Sequence, residues 1–366
     1  MSFAIHGLGT ATPPDALTSD DGLRLARFLA GPDVRTSTWL IPVYTNSGVT
    51  RRYQVIGGGV VRDIFDGEDR LKSPFYPTAA NEGVGPTTDQ RMKMYAAEAG
   101  PLALRAARQA VAESGFAPDS FTHLVTVSCT GFVAPGVDLA LIRGLGLRPT
   151  VERTHVGFMG CHGALNGLRV ANAFASAAPG ARVLVAAVEL CSLHYYYGSE
   201  PGKLIANAIF ADGAAAVAGT AAPRPGGWAL RASGSCLIPE SDADMGWVVG
   251  DHGFEMTLSR RVPGLIAAHL RPWLEGWLRD NGLSLADVGC WAVHPGGPKI
   301  LVAVEEALGL PRAALAASRA VFADRGNMSS PTVLFVLDHL RKAGAAGPCV
   351  ALGFGPGLVA EAALFG

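Results

Sequence analysis

The chain has 366 residues, of which 49% are apolar and 17% charged, with a formal net charge of −1. This composition argues against a disordered chain and leaves room for two domain-sized units with a large core. Near-neutral charge, with no run of like charges, excludes an electrostatic footprint for nucleic acid or an anionic membrane, though a local basic patch for a small acidic substrate stays open.

In chain order, the stretch from Met1 to His6 lacks the basic and apolar regions of a signal peptide. The expectation is a cytoplasmic protein with no integral membrane association, because the apolar stretches break before the ~20 residues needed for a span. Ile5 to Thr10 reads as a strand entering a turn, and 45–69, with Arg51, Arg52, Arg62 and Gly57-Gly58-Gly59, as irregular surface. Thr88 to Ser114 has a helical pattern closed by Gly115, with a kink or break expected at Pro101.

Alternating units follow. His123 to Cys129 is a buried strand, Val137 to Leu145 a helix, and Thr154 to Met159 leads through Gly160-Cys161-His162-Gly163 into a helix over 164–178. Ala181 to Leu190 and Asp212 to Gly219 are apolar strands. After a Pro/Gly-rich joint at 222–227 come a helix over 262–281, a strand over 288–293, helices over 297–308 and 329–342, and strands over 349–354 and 359–365. The alternation predicts an α/β fold with buried sheets. The halves, 1–221 and 222–366, look alike in plan and suggest a duplication.

The six cysteines, Cys129, Cys161, Cys191, Cys236, Cys290 and Cys349, include no CxxC pair and no zinc-type spacing with histidine. Neither a metal site nor a disulfide framework is expected, and most should be reduced, buried thiols. Cys161 differs by its place at a helix mouth, where unpaired N–H groups favour an anion and lower a thiol pKa from ~8.5 toward neutrality. An ordinary buried cysteine at a helix start fits the local pattern equally well.

His294 ends a buried strand in Trp291-Ala-Val-His-Pro-Gly-Gly-Pro298, facing the crevice where α/β folds bind ligands. It suits donation to a carbonyl or proton exchange with a thiol, or else it is a hydrogen-bonded core histidine. Asn327, in Gly326-Asn-Met-Ser-Ser330, reads as a helix cap or as an amide donor to a developing oxyanion.

Together these segments resemble the signatures of the type III polyketide synthases, the chalcone and stilbene synthase family. Gly353-Phe-Gly-Pro-Gly357 with its central Gly355, the opening Ile5 to Pro13, Ala208-Ile-Phe-Ala-Asp-Gly-Ala-Ala215 and Arg261-Val-Pro-Gly264 also match, in family order and spacing along nearly the whole chain. The resemblance implies a thiolase fold, a five-layered αβαβα arrangement of duplicated halves, found as a homodimer. Cys161 would accept a starter acyl group from CoA. His294 and Asn327 would hold the malonyl-CoA thioester carbonyl during loss of CO2, and His294 would keep Cys161 as thiolate. The substrates would be malonyl-CoA and a starter acyl-CoA, with no metal or redox cofactor.

Phe210 matches the family's gate aromatic between CoA tunnel and cavity. Met256, with Phe254 beside it, falls where the family has a second aromatic, a departure that makes the cavity's mouth a looser gate than a ring would. Cys129, Cys191, His194 and Ser329 align with cavity-lining positions, and Arg51 and Arg52 with a basic stretch that meets the CoA phosphates. The bacterial character of 190–198 and 245–256, Met256 and the small Ala134 favour a medium or long acyl starter. The competing readings are a single-round ketoacyl synthase, a papain-like cysteine peptidase, whose local signature is missing around Cys161, and a scaffold without activity.

Overall fold

The computed structural model describes residues 2–31, 34, 36, 38–224 and 226–366. Met1, and Pro225 in the expected joint, lie outside them. The first strands are β1 (Phe3–Ala11), β2 (Ala16–Thr18), β3 (Arg51–Tyr53), β4 (His123–Ser128), β5 (Glu152–Gly157), β6 (Arg182–Leu190) and β7 (Asp212–Thr220). They are followed by β8 (Ala229–Leu237), β9 (Met245–Gly250), β10 (Gly253–Leu258), β11 (Cys290–Val293), β12 (Cys349–Gly355) and β13 (Val359–Phe365).

Nine of them form one hydrogen-bonded sheet in the order β11-β12-β13-β8-β1-β7-β6-β4-β5. Its middle is a narrow seam, since β1 and β8 pair only through Phe3 with Leu230 and Ala4 with Ala229. The seam divides two plates, each mixing parallel pairs (β4 with β5 and β6; β11 with β12) and antiparallel ones.

Between the plates lie the helices Gly163–Ala177 and Thr332–Lys342, whose Ala164, Leu165, Leu168, Val333, Leu334 and Val336 share one core with Val125, Val185, Ala215, Ala351 and Ala363. Helices Thr88–Ser114 and Val137–Leu145 cover the outer face of the first plate. Val262–Asp280 and Pro298–Leu308 cover that of the second. This is the expected αβαβα stack. Because both plates are buried on two faces, their strands read as unbroken apolar runs rather than alternating ones.

Departures from expectation have local causes. Helix Thr88–Ser114 runs on through Pro101, which lies on its exposed face while Ala99, Leu102 and Ala103 are buried on the other. The helix starts with a reciprocal cap between Thr87 and Gln90 and stops at Gly115, whose φ is 71°. The segment 45–69, expected to be irregular, contains β3 and the helix Gly58–Asp66, because Val60, Val61 and Ile64 form a buried stripe. Helices Ser19–Leu29, Pro201–Ile209 and Ala316–Arg325 and the β9–β10 hairpin were not expected at all. The last central helix begins at Thr332, later than the predicted 329.

β1 lies so close to helix Thr88–Ser114 that a Cβ on Gly7 would overlap the Ala110 carbonyl oxygen and stand 2.7 Å from the Ser114 nitrogen. Backbone cannot yield as a side-chain tip can. Gly7→Ala is therefore expected to destabilise the protein by ~1–3 kcal/mol, read as a lower urea midpoint with an unchanged slope.

Candidate active site

After β5, Phe158 (φ 56°) and Gly160 (φ 70°) take left-handed conformations, and Gly160–His162 forms a short 3₁₀ turn leading into helix Gly163–Ala177. The turn is covered by the Gly353–Gly357 loop: a Cβ on Gly160 would strike Pro356, and one on Gly355 would lie 2.6 Å from His162 Nε2 and 2.9 Å from the Met159 carbonyl oxygen. The two glycine-rich motifs are opposite sides of one close contact. The turn thereby fixes where Cys161 stands.

Cys161 keeps part of its surface open, but its thiol is pushed up to about 11. Burial is the main cause, the charge of nearby Glu189 adds to it, and hydrogen bonds from Ser329 and Asn327 pull the other way. The helix-mouth expectation of a lowered thiol pKa is thus overturned for the resting protein, because desolvation outweighs the local donors. Cys161 rests as a neutral thiol at pH 7.

Asn327 is held on three sides. Its N–H donates to the Ile209 carbonyl and its carbonyl accepts from Ala211 N–H, both at 2.8 Å, bridging it to Phe210. Its Oδ1 accepts from Ser329 N–H at 2.8 Å, which turns the Nδ2 group toward the Gly296 carbonyl at 3.4 Å and toward Cys161. The cap reading fails, since the helix begins five residues later at Thr332. Ser329 itself takes φ 56°, a strained conformation for a non-glycine residue.

His294 follows β11 and is 1% exposed, with its backbone N–H on the Leu352 carbonyl at 2.7 Å. Neither ring nitrogen has a hydrogen-bond partner, so no such bond joins it to Cys161 in this state. Burial drives its pKa down to about 3, leaving a neutral imidazole. Asn327 links the two, through Cys161 on one side and the His294 turn at Gly296 on the other.

The aligned cavity positions gather around this point. Cys129 Sγ lies 3.4 Å from Ser329 Oγ, and Cys191 is buried at the start of the next 3₁₀ turn. His194 bonds the Thr130 carbonyl through Nε2 at 2.7 Å and accepts Phe254 N–H at Nδ1 at 2.9 Å, which fixes its tautomer. Phe254 stacks on His194 at 4.2 Å between ring centroids and on Phe132 at 6.0 Å. Half-buried Met256 pairs in β10 with Trp247, whose Nε1 donates to the Cys129 carbonyl at 2.7 Å. Phe210 is half-buried beside Asn327.

Arg51 and Arg52 part company. Arg51 is exposed and pairs with Asp324. Arg52 is 3% exposed, donates to the Asn207 carbonyl and lies over the Tyr44 and Tyr195 rings, so it is a core clamp and not a phosphate contact. Adjacent residues of a strand point to opposite faces, so a basic pair there cannot act as one patch.

Sequence reasoning missed Glu189. This carboxylate is fully buried and accepts from Cys129 N–H at 2.9 Å, Thr130 N–H at 3.0 Å, Thr130 Oγ at 2.7 Å and Ser330 Oγ at 2.6 Å. Burial raises its pKa while these bonds lower it. A single charged residue inside the otherwise apolar run 183–190 was the available signal.

The five layers and this cluster on their inner edge define a thiolase-fold condensing enzyme. Models of the chalcone and stilbene synthases match the chain with their N-terminal domain over residues 70–223 and their C-terminal domain over 229–366. The chain belongs to this family, the type III polyketide synthases, and is an acyltransferase of the condensing type. It is 33% identical over 372 aligned positions to the alpha-pyrone synthesis polyketide synthase-like Pks18 of Mycobacterium tuberculosis, covering 99% of this chain and 90% of that one. It is 36% identical over 386 positions to bisdemethoxycurcumin synthase of Oryza sativa subsp. japonica, covering 99% and 91%. The crystal structure of PKS-I from the brown alga Ectocarpus siliculosus superposes with a TM-score of 0.91 at 32% identity, over 100% of this chain and 98% of that one. The type III domain of Steely1 from Dictyostelium gives 0.88 at 27%, covering 100% and 99%. Membership disfavours the single-round ketoacyl synthase reading.

His194, like His294, has its pKa driven down to about 3, chiefly by burial. A histidine with a depressed folded pKa contributes stability above its unfolded value of ~6.5 that is lost as pH falls toward the folded value. The melting temperature is therefore expected to fall more steeply from pH 7 to pH 5 in the wild type than in His194→Asn, which cannot titrate. Thermal scans across that interval check it.

Proposed function

We propose that Cys161 carries a starter acyl group and that His294 and Asn327 drive its repeated extension by malonyl-CoA. The observation that carries this reading is the Asn327 amide, turned by Ser329 N–H so that one donor meets the His294 turn and the other faces Cys161. In the first step the neutral Cys161 thiol gives its proton to His294, and the thiolate attacks the thioester carbonyl of the starter. CoA leaves as thiolate and takes that proton. Malonyl-CoA then loses CO2, and the enolate oxygen is held by N–H groups of His294 and Asn327. Its carbon attacks the acyl-Cys161 carbonyl, the cysteine leaves as thiolate, and the lengthened chain departs on CoA to be reloaded until it cyclises.

Decarboxylation supplies the carbanion, so the reading needs no cofactor beyond the CoA thioesters. Arg51, exposed beside Asp324, suits the CoA phosphates. A fatty acyl starter and a pyrone or resorcinol product are favoured by Met256 in place of a ring, by the small Ala134 and by the likeness to a relative named for alpha-pyrone synthesis. A homodimer suits the sheet edge β5, which among the described residues has no partner on its outer side, and the exposed Phe132, Val133, Phe158 and Met159 beside it. No described helix is long and apolar enough to cross a membrane, in keeping with cytoplasmic CoA thioesters as substrates.

The test is mass spectrometry of products formed from malonyl-CoA and a panel of aliphatic and aromatic acyl-CoA starters. Multiply extended pyrones or resorcinols are expected, with an aliphatic starter best, and none from Cys161→Ala. Asn327→Ala should lower kcat by ~10²–10³-fold, the usual cost of an oxyanion donor. Clean turnover of aromatic starters alone would overturn the fatty acyl preference, and a single-extension product would overturn the polyketide cycle.

A further inference from the structure

A second histidine stands beside Cys161. His162 is 2% exposed and begins a chain of hydrogen bonds that leads out of the site. Its Nδ1 bonds Asn166 Oδ1 at 2.7 Å, Asn166 Nδ2 donates to Glu361 Oε1 at 3.1 Å, and the other oxygen of Glu361 is paired with Arg169. Asn166 and Glu361 are 7% and 2% exposed, whereas Arg169 reaches solvent.

The chemistry of this chain fixes its proton positions. A carboxylate paired with Arg169 only accepts, so Asn166 must turn its NH2 to Glu361 and its oxygen to His162. His162 then carries its proton on Nδ1, and Nε2 is left with a lone pair. That Nε2 is buried and has no hydrogen-bond partner. Its Cβ lies over Gly353 and its ring over Gly355, at the end of β12. His294 leaves the neighbouring strand, β11, with its N–H on Leu352, one residue before Gly353. Both nitrogens of His294 are also buried without partners, and a charge on His162 is felt at His294.

Three unpartnered ring nitrogens over two adjacent strand ends need a use. We propose that His162 is a positioning residue for His294: its Nε2 lone pair, aimed by Glu361 and Asn166, receives an N–H of His294 and stabilises the imidazolium formed when Cys161 gives up its proton. This rests on the role of Cys161 proposed above. No atom is lost in the step, since the proton moves from Cys161 to His294 and later to the departing CoA thiolate. The charged and titratable groups facing this pair are Glu361 from β13, Arg169 from helix Gly163–Ala177, and Cys161 in the same turn. Glu361 and Arg169 act on His162 with opposite signs, and burial keeps His162 neutral, free to accept.

The test is the rate of Cys161 alkylation by iodoacetamide as a function of pH, read by peptide mass spectrometry against the other five thiols, with steady-state kinetics beside it. His162→Phe keeps a ring but removes the acceptor. It is expected to slow alkylation at neutral pH about tenfold, a shift of the profile upward by ~1 pH unit, and to lower kcat while leaving the malonyl-CoA KM unchanged. His162→Gln, which offers an acceptor oxygen, should recover part of the lost rate. Asn166→Leu, which cuts the chain behind His162, gives the same reading if His162→Phe does not fold.

A folded His162→Phe or Asn166→Leu with the wild-type profile overturns the proposal. Equal slowing in His162→Phe and His162→Gln overturns it too, in favour of packing alone. If wild-type Cys161 reacts no faster than the other thiols, the role of Cys161 itself fails, and this inference with it.

Discussion

Glu189 has no exposed surface and, among the described residues, makes no ion pair. Taking a lone carboxylate out of water costs several kcal/mol unless donors replace its hydration. Here they come from two layers: Cys129 and Thr130 at the end of β4, and Ser330 just ahead of the central helix Thr332–Lys342. A donor lost from either layer leaves the buried carboxyl group short of a partner. Cys129 at the end of β4 and the Ser329-Ser330 turn are thus tied together through this one buried carboxyl group.

The site is assembled from turns that are rigid for separate reasons. Close backbone approach locks the Gly353–Gly357 loop onto the Cys161 turn. A two-sided backbone clamp fixes Asn327 to the segment around Phe210. Buried Arg91, with no carboxylate partner among the described residues, donates to the Pro86, Leu193 and Tyr195 carbonyls and thereby pins the turn that carries His194. Strain at Ser329 is held in place by its burial and by its N–H on Asn327 Oδ1. Preorganisation of this kind lets donors act without reorganising at the moment of reaction.

The electrostatics of the resting site are set by burial. The thiol of Cys161 is raised and the imidazole of His294 lowered, both chiefly by burial. Each shift opposes the charged pair that nucleophilic attack requires. Under the reading proposed above, stabilisation of that pair would fall to dipoles and lone pairs such as the amide of Asn327 and the lone pair of His162.

The long apolar runs of β6, β7 and β12 and Cys161, His294 and Asn327 on their glycine-bearing turns were legible in the sequence, because buried strands and tight turns each leave a compositional mark. Short elements such as β3 and helix Gly58–Asp66 were not, since a three-residue strand has no periodicity and its stability comes from what it packs against. Sequence also could not separate Arg51 from Arg52, whose opposite fates depend on which face of β3 meets the core. What the sequence determined by itself was the fold class, the turns and the chemical groups they carry, all set by local constraint. The tertiary structure alone decided the raised thiol, the neutral His294, the buried Glu189 and the chain from Glu361 to His162. Those depend on desolvation and on contacts between residues up to 195 positions apart, and a linear pattern records neither.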